Sequence, residues 1–174
     1  MFISYSAAQD PFHAIFRILC ILQNNATRVF ELERLLITDF FVCFPWAVPE
    51  ISGSRKVKGF IQAQNQVTRT YKKSEYEQLP ERRVMFRRMR PSQLAALNSL
   101  CSYGYIGAKE FQTDKILRTQ EAIPSIIATH VGEHVSSNEV LFSFLNNYLN
   151  ELPMSTSDGL KAKTGLEEFR YDYI

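Results

Sequence analysis

The stretch Glu31–Pro45, ELERLLITDFFVCFP, constrains the fold more than any other. Leu32, Leu35, Leu36, Ile37, Phe40, Phe41, Val42 and Phe44 make it apolar around most of its circumference. A helix of that kind belongs inside a domain rather than on its surface. Glu31, Arg34 and Thr38 recur at three- and four-residue spacing and mark one thin polar edge. Pro45 ends the helix near Phe44, because the residue before a proline disfavours helical geometry. Asp39 stands among Leu35, Leu36, Val42 and Cys43, and a buried carboxylate is costly unless it is paired, so something basic should meet it.

The expected partner lies upstream. Asp10 is a good N-cap and Pro11 suits the first helical position. Phe12, Ile15, Phe16, Ile18, Leu19 and Leu22 then predict a helix running to about Gln23. Arg17 projects from it on the face it shares with His13. An Arg17–Asp39 pair would fix two neighbouring helices, joined by the short polar turn 24–28. The sharper alternative is a catalytic carboxylate, but no second acid, nucleophile or glycine loop stands near it in sequence.

A chain of 174 residues suits one domain, or two small ones sharing a core, and 45% hydrophobic residues suffice to build it. No run of about 18 uncharged apolar residues is present, which argues against a membrane-spanning helix. The opening MFISYSAAQDPFH lacks the basic start and apolar core of a signal peptide. Cys20, Cys43 and Cys101 are far apart within apolar helical patterns; they look like reduced core thiols, which points to the cytoplasm.

The net charge of +2 hides a segregation. Residues 55–90 hold 11 Lys/Arg and 3 Asp/Glu, a surplus of +8, and the remainder carries −6. Charge arranged this way concerns partners rather than fold. Arg55, Lys56, Lys58, Arg82, Arg83, Arg87 and Arg88 are the candidate binding residues. They could meet nucleic-acid phosphates, with Phe60, Tyr71, Tyr76 and Phe86 able to stack on bases, or an acidic face of a partner protein, or only solvent.

Further along, residues 46–59 read as loop and 60–77 as a weak helix or connector. A helix restarts at Leu79-Pro80-Glu81, and Pro91 opens another whose inward stripe is Leu94, Leu97, Leu100 and Cys101. Gly104 is its left-handed cap. Tyr105-Ile106 and residues 116–119 predict two short strands with 107–115 as the tip, the outline of a winged helix-turn-helix. Lys109, Lys115 and Arg118 would be its few wing cations. Pro124 and Gly132 break the next segment, Asn138 caps a helix that ends by Pro153, 154–164 is loop, and Phe169, Tyr171 and Tyr173 alternate as in a terminal strand.

Catalytic motifs are scarce. His130-Val-Gly-Glu133-His134 matches an H-x-x-E-H zinc pattern, but Gly132 weakens the helix and the only further histidine is His13, so no metal is expected. The glycine–lysine run 159–165 has the wrong spacing for a P-loop, and no nucleophile elbow is present. No cofactor and no enzymatic activity are expected.

Asp10-Pro11-x-His13-x-x-Phe16-Arg17, followed by Glu31-Leu32-x-Arg34-Leu35-x-Ile37-x-Asp39-Phe40-x-x-x-Phe44-Pro45, resembles the middle component of bacterial three-component ABC ATPase systems. That group includes Lamassu-type phage and plasmid defence. The resemblance covers the first quarter of the chain, where Arg17, Arg34 and Asp39 match its pattern. It implies a small non-catalytic adaptor between an ATPase similar to the Rad50 and SMC proteins and an effector, often a nuclease. Double-stranded DNA is an open further partner, and a membrane is not expected.

The sequence thus predicts a mainly α protein with a small β part (α+β): a helical core plus a winged-helix-like module. Its expected organisation is an N-terminal helical pair over 1–50, a basic connector over 51–78 and the winged-helix-like module with a C-terminal helix and strand over 79–174. A stand-alone winged-helix DNA-binding regulator is the alternative to the adaptor, and a hydrolase using His130, Glu133 and His134 is the third possibility.

Overall fold

The computed structural model describes residues 6–166. Its helices are α1 (Pro11–Gln23), α2 (Leu32–Cys43), α3 (Phe60–Thr70), α4 (Arg82–Ser102), α5 (Ala108–Gln112), α6 (Ser125–Ser137), α7 (Glu139–Asn147) and α8 (Leu160–Thr164). Two short strands, β1 (Phe30–Glu31) and β2 (Lys115–Ile116), form a small antiparallel sheet, and 3-10 turns cover Ala7–Gln9, Pro45–Glu50 and Leu149–Glu151. The protein is mainly α with a small β part, as its patterning predicts.

Helix α2 is the centre. Leu35, Leu36, Ile37, Phe40 and Phe41 are wholly buried, and so are Thr38 from its polar edge and Asp39 from its apolar side. The Phe40 ring lies 5.2 Å from those of Phe41 and Phe44 and 5.9 Å from Phe86 on α4. Edge-to-face aromatic pairs of this kind add to the area they bury. Helix α1 packs against α2, α4 and α6, so its buried surface is wide: Ala14 and Arg17 through Leu22 are all enclosed. Its start is fixed as the sequence dictates, with the Phe12 amide donating to Asp10 Oδ1 at 3.0 Å and Pro11 in the first turn. Buried apolar residues from both ends of the described chain and from its basic middle share one cluster.

Several boundaries differ from the sequence expectation. Pro91 does not open a helix; it lies inside the 21-residue α4. The proline removes one amide and crowds the carbonyl of Arg87, yet Pro91, Arg87 and Arg88 lie on the exposed face of the helix, where the lost bond costs least. Gly104 ends α4 as predicted: at φ 78° it lets the Tyr105 amide reach Leu100 O and its own amide reach Cys101 O. Residues 60–70 form a full helix because Phe60, Gln64 and Val67 make a buried stripe and Gln64 Nε2 donates to Val48 O and Ile51 O. Gly132 does not break α6, which packs on α1. Asn138 makes no side-chain cap; its amide instead donates to His134 O and accepts from Tyr71 Oη. Residues 160–164, expected as loop, form α8, anchored by Leu160 and Thr164.

The β segments meet differently from a simple hairpin. Ile106 and Arg118 form a single antiparallel bridge, with the Gly107 amide on Leu117 O and the Thr119 amide on Tyr105 O. The tip between them coils into α5, and β2 pairs with β1, Phe30 opposite Ile116 and Glu31 opposite Lys115. Phe30 and Ile116 are both wholly buried, so this pairing closes the core beside α2. The terminal strand expected around Phe169–Tyr173 lies outside the described residues.

Candidate functional site

Arg17 and Asp39 meet inside the protein. Arg17 Nε donates to Asp39 Oδ1 at 2.7 Å and Nη2 to Oδ2 at 3.0 Å, the planar fork matching the carboxylate. Arg17 Nη1 also donates to Ala7 O at 3.0 Å. Burial alone would lower the Arg17 pKa, but the charge and hydrogen bonds of Asp39 hold it above its usual value. A third member comes from α4: Gln93 Nε2 donates to Asp39 Oδ2 at 2.9 Å and to Leu36 O at 3.1 Å. Gln93 is wholly buried, yet in sequence it is only a polar residue two positions after Pro91. The two cysteines described near this pair are not activated. Burial pushes the Cys20 thiol up to about 12 and the Cys43 thiol up to about 11, so both are protonated at neutral pH.

A second polar knot lies on the other edge of α2. Arg34 Nε donates to Glu31 Oε2 at 2.8 Å, and Arg34 Nη1 to Asn150 O at 3.0 Å. Arg28 Nη2 donates to that same carbonyl, with its guanidinium 5.3 Å from the centre of the Phe30 ring. The Thr38 hydroxyl, 2.8 Å from Arg34 O, is also 3.1 Å from Asn150 Oδ1. Asn25 adds a bond to Asn146 Oδ1 at 2.9 Å. These contacts staple the 24–31 segment and α2 to the end of α7 and the 3-10 turn that follows it. Asn150 carries no sequence signal beyond being polar after an apolar helix.

The zinc-like motif is assembled only in part. His130 Nδ1 and Glu133 Oε2 are 3.6 Å apart on the exposed side of α6. His134 instead turns its ring toward Phe16 (5.4 Å) and Phe142 (6.2 Å), and burial there lowers its pKa. His13 lies 3.7 Å from Asp10. Among the described residues no group of three or more His, Cys, Asp or Glu side chains gathers around one point.

The basic residues divide into bridged and unbridged sets. Lys56 Nζ pairs with Asp158 Oδ2 at 2.7 Å, Arg82 Nε with Glu50 Oε2 at 3.1 Å, and Arg83 Nε lies 3.9 Å from Glu81. The hydrogen bond from Lys56, reinforced by the charges of Lys56 and Lys163, lowers the Asp158 pKa. Arg90 makes a two-pronged pair with Glu33, 2.7 and 3.2 Å. Arg55, Lys58, Arg87 and Arg88 are exposed and, among the described residues, in no ion pair. The interleaved aromatics do not form a stacking platform: Phe60 and Phe86 are in the core, and the Tyr71 hydroxyl is bound to Asn138. Tyr76 alone is fully open. Of the wing cations, Arg118 is occupied internally, donating to Tyr105 O, Thr119 O and Glu121 O.

Fold and surfaces together define a small, mainly helical protein whose internal ion pairs brace its helices and whose exterior carries a basic region. The chain belongs to a family of this kind, the ABC-three component (ABC-3C) system Middle Component 5 family, whose model matches residues 3–172. It is therefore a component of a multi-component ABC system, with protein partners. No match was found among curated proteins or among solved structures. Among the described residues no helix is long and apolar enough to cross a membrane.

Proposed function

We propose that this protein is a non-catalytic adaptor, holding an ABC ATPase similar to the Rad50 and SMC proteins against an effector, often a nuclease, in a Lamassu-type defence complex in the cytoplasm. The family match across residues 3–172 carries this assignment. The structure supports it chemically: Arg17, Asp39, Arg34 and Gln93 are all buried and bonded to one another or to backbone, which suits a scaffold and leaves no open acid or base among them.

A winged-helix module is a finer part of the same assignment. Its support is the order α1, β1, α2, then, after the inserted 3-10 turn Pro45–Glu50 and α3, α4, the Ile106 segment, α5 and β2, with β2 returning to pair with β1. In that arrangement the second half of α4 would be the helix that meets a partner. Its exposed positions are Pro91, Ala95, Asn98 and Ser102, with no charge among them. Helices that grip DNA carry basic and hydrogen-bonding side chains there. The neutral face favours protein docking over a stand-alone sequence-reading regulator.

Co-expression with the neighbouring genes and purification through a tag on this protein tests the adaptor directly. Retention of a long coiled-coil ATPase supports it. A shift assay in which the protein alone prefers one promoter fragment over others would favour the regulator instead.

A further inference from the structure

The basic exterior is not one stretch of chain. The Ser52 amide donates to Lys163 O at 2.9 Å, and Lys163 Nζ donates to Gly53 O at 3.0 Å. Lys163 also reaches Asp158, 3.7 Å away, the carboxylate that holds Lys56. At the far end of α8, a methyl group on Gly165 would stand 3.2 Å from Arg82 Nη2 and 3.7 Å from Arg83 Nη2. The 51–59 loop, the first turn of α4 and the α8 segment therefore meet in one surface. Lys163, from the part of the chain that is acidic overall, meets Lys56, Arg82 and Arg83 there through these contacts, and Arg55, Lys58 and Lys161 are carried on the same segments. Among the described residues Glu50, Glu81 and Asp158 pair with these cations, each within a salt bridge.

We propose that this composite surface binds the phosphate backbone of double-stranded nucleic acid without reading its sequence. Three separate segments, joined by the Ser52–Lys163 and Lys163–Gly53 hydrogen bonds and by the close approach of Gly165 to Arg82, bring the cations together, and phosphate contacts need position rather than base recognition. Protein interfaces place aromatic and apolar groups at their centre. Here Ser52, Gly53 and Gly165 lie between the cations, and Ile61 beside Gly53 is the half-exposed apolar neighbour. Asp158 is a built-in competitor: a phosphate that takes Lys56 and Lys163 displaces its carboxylate. This inference stands apart from the adaptor assignment, which co-purification tests on its own.

Fluorescence anisotropy of the full-length protein with labelled duplexes of unrelated sequence decides it. At about 50 mM salt both duplexes bind equally, and affinity falls with salt along a log–log slope of about −3 to −4, as four neutralised phosphates require. Lys58→Glu with Lys161→Glu weakens binding at least about tenfold and flattens the slope by about two. Asp158→Asn and Glu50→Gln, which remove competing charge, each tighten it. Circular dichroism melting verifies that every variant is folded. No binding by folded wild-type protein at low salt overturns the proposal, as does indifference of both duplexes to the Lys58/Lys161 reversal. If that reversal releases a protein partner while duplex binding is absent, the surface docks an acidic protein instead.

Discussion

Gln93 Nε2 and Arg17 Nη2 reach the same oxygen of Asp39, at 2.9 and 3.0 Å, from two different helices. One carboxylate on α2 thereby ties α1 and α4 to the central helix at a point with no access to water. Breaking a buried pair by removing one partner leaves an uncompensated charge, whereas replacing both with apolar groups of similar size is often close to neutral. Asp39→Ala should cost about 3–5 kcal/mol, and Asp39→Leu combined with Arg17→Met substantially less than that. Urea unfolding of the three proteins checks this; equal loss in single and double variants would mean that the ionic pairing is not what matters at the site.

Gly104 isolates a backbone effect. Its φ is 78°, and an added Cβ meets nothing within 4 Å. Gly104→Ala should therefore destabilise by about 1–2 kcal/mol through left-handed strain alone. Thermal melting of this variant against Gly132→Ala, a helical glycine whose added Cβ would make only an ordinary 4.0 Å contact with Gln23 Nε2 and whose replacement should stabilise α6, separates conformational cost from packing.

His134 gives stability a pH dependence. Burial beside Phe16 and Phe142 lowers its folded pKa below the ordinary value of about 6.5. The unfolded chain then takes up a proton as pH drops through that value, while the folded protein resists. The contribution is complete above about pH 6.5 and is lost as pH falls through the lower folded pKa. Melting temperatures measured from neutral to mildly acid pH should decline in this window, and His134→Phe, which keeps the ring contacts, should remove that part of the decline.

Arg87 and Arg88 are exposed on α4 and lie apart from the internal bridges. Reversing both to Glu should leave the melting temperature nearly unchanged, since surface substitutions are usually within about 0.5 kcal/mol. It should weaken assembly with the partner proteins in a pull-down at physiological salt. Intact assembly would make this arginine pair a solvated face.

How much of this was legible in the sequence follows from where the information lies. The α1 cap, the buried α2 and the Gly104 cap rest on local chemistry, and each appears where the residues predict it. Asp39 announced its need for a partner because a carboxylate interrupts an apolar helix. Gln93 and Asn150 did not, since an amide signals nothing until a fold surrounds it. Pro91 reads as a helix start, but the penalty of an interior proline depends on where it falls on the helix, and here it is on the exposed face. The β1–β2 pairing leaves no mark in the sequence because it joins two-residue segments far apart in the chain, too short for any period to show. The convergence of Lys163 on the 51–59 loop was hidden for the same reason: charge runs are visible along a sequence, and charge patches only in space.

The most direct measurement is stoichiometry. The tagged protein, co-expressed with its neighbouring genes, is purified at physiological salt and its mass determined by light scattering. A subunit held between other molecules should emerge in a defined complex with an ABC ATPase. Emergence alone and monodisperse with every neighbour present, or turnover of substrate by the isolated protein, would contradict the adaptor.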